Sequence, residues 1–436
     1  MRKWIMGTAL AAVMPLAAVA ENLPYGLQSG KPFEGTTLNI LSVVTPQFDG
    51  LMLRDDEFTE LTGIETEWTF IPFGGLQEKL NAEGVAANGT FDVVNYLDTW
   101  GPPNRYWLRP IDDLLERDGI SMDRYPDAFA RSASFEGETM GFPLRAHPQL
   151  FFYRADLIDE PPQTWDDVIR IGKELKETNP EIAPLALYYV NDGNRQNLFV
   201  WLNFIWAAGG DILNDDCTPA WTTEEALTAT EDYIALHTVH EVTNPDSVGF
   251  NEADARISFQ QGNSAMMPVW WWAYSPMTNP EQSVLTKEQV SFAGMPSYQG
   301  RTKTYAISMP FSISSYSQNQ DAAWEFMKWL SNPDMDRANA IEREVEGQAI
   351  VNNVVTHIAS LQDPDVNAAN DGIQSAAWAS LQESDIMPQI AEWPEVGDLL
   401  SAAIAEAAAG GDTRQLMMDA AEQATRVLTR SGCIAR

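Results

Sequence analysis

Cysteine is nearly absent. Only Cys217 and Cys433 occur in 436 residues, which excludes a zinc site built on several thiolates and leaves at most one disulfide. Whether the two bond stays open here, because separation along the chain says nothing about the geometry a disulfide requires. Histidine is scarce as well. His237 and His240 stand three apart on a predicted helix, but no acid is in place to complete a metal set, so they read as a solvated helix face and no metal or cofactor is expected. Positive charge is short: 27 Lys and Arg against 62 Asp and Glu give a formal charge of −35. That balance makes nucleic acid and anionic membrane surfaces unfavourable partners. Beyond the first twenty residues no apolar run approaches the ~20 residues needed to cross a bilayer. Internal repeats are missing, which argues against a scaffold or adhesin, and neither Gly-x-Ser-x-Gly nor His-Glu-x-x-His occurs.

The chain opens with Arg2-Lys3, runs apolar from Trp4 to Leu16 and reaches Ala18-Val19-Ala20. This is the pattern of a cleaved secretory signal peptide over residues 1–20, with a mature protein from about Glu21. No cysteine follows the predicted cut, so a lipid anchor is not expected, and the expected location is a bacterial periplasm. A hydrophobic content of 44% over this length supports large cores and two or more globular units. Fifteen tryptophans are the unusual surplus. Most are expected to be buried, yet flat apolar faces with one polar edge are also what a sugar-binding cleft needs.

The run Leu38–Val44 reads as a buried strand. A helical segment through Phe58 and Leu61, an alternating strand over 64–71, a helix over 76–87 and a strand over 91–96 follow. Strand, helix, strand, helix, strand implies parallel pairing with right-handed crossovers, and ligands of such sheets sit outside the carboxyl ends of the strands, here near Thr45, Pro72 and Asp98. Thr164-Trp165-Asp166-Asp167 and Thr222-Thr223-Glu224-Glu225 both have the form of capping boxes. Strand character returns over 290–315, and helices with one apolar face follow around 323–330 and 399–407, the last stopped by Gly410-Gly411.

Several motifs then fall in register with one family. Gly141-Phe142-Pro143 with Tyr153-Arg154-Ala155-Asp156, Pro162-Gln163-Thr164-Trp165-Asp166-Asp167, Phe259-Gln260-Gln261-Gly262-Asn263-Ser264-Ala265-Met266-Met267, the helix Ala322–Leu330 and the segment from Ile386-Met387-Pro388 to Gly410 resemble the extracellular solute-binding proteins of bacterial ABC importers, in the group that includes maltose-binding proteins. The resemblance implies an α/β, two-lobed periplasmic binding protein fold of type II, with a ligand cleft between lobes joined by hinge strands. It implies lobe 1 over 36–147 plus 292–335 and lobe 2 over 148–291 plus 336–436. It also implies a monomer that is not an enzyme, that binds a sugar, polyol or acidic sugar, and that delivers it to membrane permease subunits. The rival class is a secreted glycoside hydrolase, which needs two acids facing across the scissile bond, and no motif singles out such a pair.

A sugar needs hydrogen-bonding groups at its rim and aromatic planes on its faces. Trp272, where the family places a ligand-facing tryptophan, is the leading plane. Trp270 points the same way if the backbone is extended, with Trp271 turned to the core. Asp98, flanked by Tyr96 and Trp100 at the end of the third strand, is the leading carboxylate, able to accept two hydroxyl hydrogens. Thr45 and Gln47 follow the first strand. Arg145 and His147 lie on the first interlobe crossing, where the maltose type carries an acid. That departure, with Arg343 nearby in the family's layout, admits an anionic ligand. Asn197, Tyr305 and Trp393 complete the candidates.

Overall fold

The computed structural model describes residues 23–45, 48–345, 348–349 and 354–435. The predicted signal peptide and Gln47 lie outside them. Nine strands join in one mixed sheet: β1 (Thr37–Val43), β2 (Glu65–Ile71), β3 (Val93–Asn95), β4 (Phe142–Arg154), β5 (Ala183–Leu185), β6 (Ser264–Trp270), β7 (Val290–Ala293), β8 (Thr304–Ile313) and β9 (Ser384–Asp385). Their order is β2-β1-β3-β8-β4-β6-β5, with β7 on β4 and β9 on β8. β1 pairs parallel with β2 and β3, as the alternating strand and helix pattern requires. As an inner strand β1 buries nearly all its residues, whereas the edge strand β2 keeps an alternating exposure, the usual difference between a strand covered on both faces and one at a margin.

β4 carries the architecture. Its first part, from Phe142 to Pro148, pairs antiparallel with β8, and its last part, from Gln149 to Tyr153, pairs with β6, while Phe151–Arg154 pair with β7. One thirteen-residue strand therefore belongs to two sheet regions, as the expected two-lobed fold requires. β8 returns beside it, with a register shift between Met309 and Pro310. Proline lacks an amide to donate, and a bulge accommodates that.

Helices pack on both faces. In the first region α1 (Asp55–Thr62) and α2 (Phe73–Ala86) connect the first three strands. In the second region the sequence supplies α3 (Trp165–Thr178), α4 (Leu198–Ala208), α5 (Glu224–Thr238) and α6 (Glu252–Gln260). Later come α7 (Gln320–Leu330), α8 (Trp393–Ala408) and α9 (Thr413–Ser431). Thr164 opens α3 with the expected reciprocal capping box on Asp167. At α5 the cap is Thr223, whose hydroxyl accepts the Ala226 amide at 3.3 Å. The helix starts one residue later than the Thr222 box would place it, so the reciprocal carboxylate contact is lost.

α7 buries a charged cluster against the amino-terminal segment: Lys328 contacts Glu325 at 2.9 Å and donates to the Gly26 carbonyl at 2.6 Å. Cys217 and Cys433 form a disulfide with a Cα separation of 5.8 Å, tying the end of α9 to the loop after α4. Three contacts join segments far apart in the chain. The Ser297 amide donates to the Gln163 carbonyl and Tyr298 Oη to Asp232 Oδ2, so the turn before β8 rests on α3 and α5. His357 packs against Tyr125, with ring centres 4.5 Å apart and the planes tilted by 36°.

Candidate functional site

Where β4 and β8 run side by side, alternate residues share one face, and Arg145 and His147 lie opposite Met309 and Ile307. All four open onto a cleft of about 320 Å³. Val43 and Val44 at the end of β1, Phe73 at the start of α2 and Leu97 after β3 form one side, which is the carboxyl edge of the parallel strands. Across from them stand Phe199, Trp270 and Trp272, with Asp192, Asn194 and Gln196 from the loop before α4, and Asn251, Glu252 and Ala253 at the start of α6. Trp270 is held edge-on against Phe199 and Tyr305, each ring centre 5.3 Å away. A plane fixed on two sides by other rings presents its remaining surface without loss of side-chain entropy.

The polar groups are equally fixed. Trp271 points into the core and its indole N–H donates to the Ala146 carbonyl at 3.1 Å and to His147 Nδ1 at 3.0 Å. Because an indole only donates, Nδ1 accepts and the proton of the neutral imidazole resides on Nε2. Burial and the charge of Arg145 hold His147 well below the usual imidazole range, so the ring stays neutral. Its Nε2 finds no hydrogen-bond partner among the described residues. Burial lowers the Arg145 guanidinium to about 10, with Glu252 opposing the shift, which leaves it charged at neutral pH. The group lies 5.9 Å from the Trp272 ring centre, and Arg256 lies 5.2 Å from the same ring, within cation–π range. Burial raises the Glu252 carboxyl, while Arg256 counteracts through a 3.1 Å contact. Asn251 caps α6, accepting the Asp254 amide, and the Glu252 amide donates to Gln196 Oε1.

The family model of bacterial extracellular solute-binding proteins matches residues 44–336. The chain belongs to that family. This solute-binding protein is thus the substrate-binding component of an ABC transporter and not an enzyme, which removes the glycoside hydrolase reading. A probable amino-acid ABC transporter periplasmic-binding protein of Sinorhizobium fredii is 20% identical over 385 residues, covering 84% of this chain and 81% of the relative. A solute-binding protein of Agrobacterium radiobacter solved in complex with ribitol superposes with a TM-score of 0.77 at 22% identity, over 91% of this chain and 100% of the other. Maltose-bound MalE3 of T. maritima gives a TM-score of 0.78 at 21% identity, over 90% and 100%. These establish the two-lobed fold. The family is extracellular or periplasmic, and among the described residues no helix is long and apolar enough to cross a membrane.

The solute-binding protein brings four of the candidates together on the cleft wall: Trp270, Trp272, Arg145 and His147. Thr45 is buried at the cleft margin beside Val44. The others stand elsewhere, each for a traceable reason. Asp98 is fully buried; it begins a 3-10 turn and folds back so that Oδ1 accepts the Thr99 amide at 2.7 Å, while Leu97 takes the cleft position. Tyr96 faces the core and bonds to Ser312, and Trp100 packs on Phe73. Asn197 is consumed by structure, donating to the Tyr189 and Ser401 carbonyls. Tyr305 shares the cleft face of β8 but lies behind Trp270, its hydroxyl without a partner among the described residues. Trp393 is core at the start of α8. Arg343 is turned outward onto the Ala369 carbonyl and Asn370.

Sequence reasoning passed over Asn194, Gln196, Asn251 and Glu252. Their signal was faint: a polar, Gly-containing stretch before α4 and an Asn-x-x-Asp cap before α6 read as an ordinary loop and an ordinary helix start. A larger depression of about 930 Å³ near Lys176, His237 and Gly410 lies on the outer face of the second region, away from the crossing strands and without an aromatic plane. His237 there bonds to Thr243 at 2.7 Å, and among the described residues no three His, Cys, Asp or Glu side chains gather as a metal set.

Proposed function

We propose that this protein is secreted through a cleaved signal peptide and, as a periplasmic monomer, captures one monosaccharide-sized polyhydroxylated solute, a sugar, polyol or sugar acid. It closes its lobes on the solute and presents the closed form to the membrane permease. The observation that carries this reading is the pair of indoles, Trp270 and Trp272, on the wall of a 320 Å³ cleft rimmed by the amides of Asn194, Gln196 and Asn251. Stacked C–H faces and amide-bonded hydroxyls are the two demands a sugar makes. The volume is at the small end of ligand pockets, which suits one ring or a short polyol. In the proposed division, lobe 1 takes 36–147 plus 292–335 and lobe 2 takes 148–291 plus 336–436. β4 and β8 then form the hinge. A solute touching both walls makes its full set of contacts only in the closed form and so shifts the equilibrium toward it.

A thermal-shift screen of the mature protein against sugars, polyols and sugar acids tests the proposal, and one-to-one stabilisation by a member of these classes is expected. Trp272→Ala abolishes the shift while retaining the wild-type circular dichroism. Stabilisation by none of them, or tight binding retained in that variant, sinks the reading.

A further inference from the structure

We propose that Asp98 is a proton-dependent latch between the two lobes, its carboxyl neutral when they are closed and ionised when they part, so that acid favours the closed form. This rests on the lobe closure proposed above. The carboxyl is completely buried, and it is buried at a seam. Asp98 opens the 3-10 turn Asp98–Trp100 after β3, in the proposed lobe 1. That turn packs against α8, in the proposed lobe 2, and against β8, one of the two hinge strands. Rotation about β4 and β8 draws α8 away from the turn, and water then reaches the carboxyl.

Backbone amides, not a cation, are what the closed structure offers this group. Oδ1 accepts the Thr99 amide at 2.7 Å, and Oδ2 has no partner of standard geometry among the described residues. The amides of Thr99 and Ser308 are the groups that favour its charged form. Each element packed on it brings neutral or committed side chains. From β3 comes Tyr96, bonded to Ser312, and from β8 comes Tyr305, whose charged form Asp98 would oppose. The following short helix, Gly101–Asn104, carries no titratable residue. Glu395 and Asp398, in the first turns of α8, pair with Arg430 and Arg195, and Arg145 on β4 acts on His147 and Glu252. A carboxylate buried without a counter-ion is costly, and burial raises this carboxyl from 3.8 to about 8. Hydration on the parted face restores the ordinary carboxylate range. The closed form thus holds the proton more tightly than the open one. The closed-to-open ratio is highest at low pH and falls as pH rises from about 4 to about 8.

The test reads the lobe separation directly and needs no solute. Spin labels on Val85→Cys, near the end of α2, and Ile257→Cys, on α6, occupy exposed positions on opposite lobes, and both native cysteines are already held in the disulfide. Double electron–electron resonance on the labelled mature protein at pH 5.5 and pH 8.5 is expected to give a closed-to-open ratio about ten-fold or more higher at the lower pH. Adding Asp98→Asn, which cannot titrate, should hold one ratio at both values, and Asp98→Ser serves the same purpose if asparagine impairs folding. A change with pH that persists in these variants overturns the latch. Two separations whose ratio ignores pH before any substitution at Asp98 also overturn it, while hinged closure stands. A single separation at both pH values, unmoved by every sugar, polyol and sugar acid of the screen, removes closure and the latch together.

Discussion

Replacing Asp98 by asparagine should make the protein less sensitive to pH, and the size of the effect follows from the surroundings of that carboxyl. Asp98 is completely buried. Oδ1 accepts the Thr99 amide, and Oδ2 has no partner of standard geometry among the described residues. Burial pushes the carboxyl from 3.8 to about 8, with the backbone amides of Thr99 and Ser308 pulling the other way. The folded value is above the unfolded one, so the stabilisation from the retained proton is full below pH 4 and is lost as pH rises toward 8. Each pH unit between those limits costs about 1.4 kcal/mol, so moving from pH 5 to pH 7 costs wild type about 2.7 kcal/mol through this residue. Asparagine has nearly the same shape and does not titrate. Urea unfolding at pH 5, 6 and 7 and fixed ionic strength, analysed for both proteins, should show the Asp98→Asn variant gaining about 2–3 kcal/mol relative to wild type over that span. Other groups, His147 among them, contribute equally to the pH dependence of both proteins and cancel in the difference. If the two stability curves stay parallel within about 0.5 kcal/mol, Asp98 is ionised in the folded protein and the assignment of its environment is wrong.

His147 is held neutral by burial, so its ring resonances should not titrate between pH 8 and pH 5.5 in NMR spectra of the folded protein; a midpoint near 6.5 would contradict the buried geometry. The same depression removes stability as pH falls below 6.5, because only the unfolded chain takes the proton, and His147→Gln should flatten that limb. Cys433→Ser opens a cross-link between residues 216 apart and should cost about 2–5 kcal/mol, with dithiothreitol lowering the wild-type Tm to match. An unchanged Tm in both experiments would show that the bond does not hold α9. Gly141→Ala places a methyl group on the Phe311 carbonyl across the β4–β8 pair and should destabilise by about 1–3 kcal/mol. Unaltered thermal unfolding would mean that β4 and β8 yield easily.

The local grammar of this chain was written in its residues. The buried run at β1, the alternation at β2, the Thr164 capping box and the crossing at Phe142–Arg154 were all legible, because each depends on neighbours within a few positions or on a motif in register with a family. The class of the protein followed from the same motifs. Which residues face the cleft followed only in part. Alternation along an extended backbone was enough to turn Trp271 inward between Trp270 and Trp272, but only the tertiary structure supplies His147 as the partner of the middle indole. Asp98 stands at the strand end where a ligand contact is expected, yet the turn it begins rotates its carboxyl inward. Asn194, Gln196, Asn251 and Glu252 come from loops far apart in the chain and gain a shared purpose only when the second region folds over β4 and β8. Periodicity and caps are short-range properties that a sequence carries openly. A binding wall is a set of directions in space, and those are fixed by long-range packing.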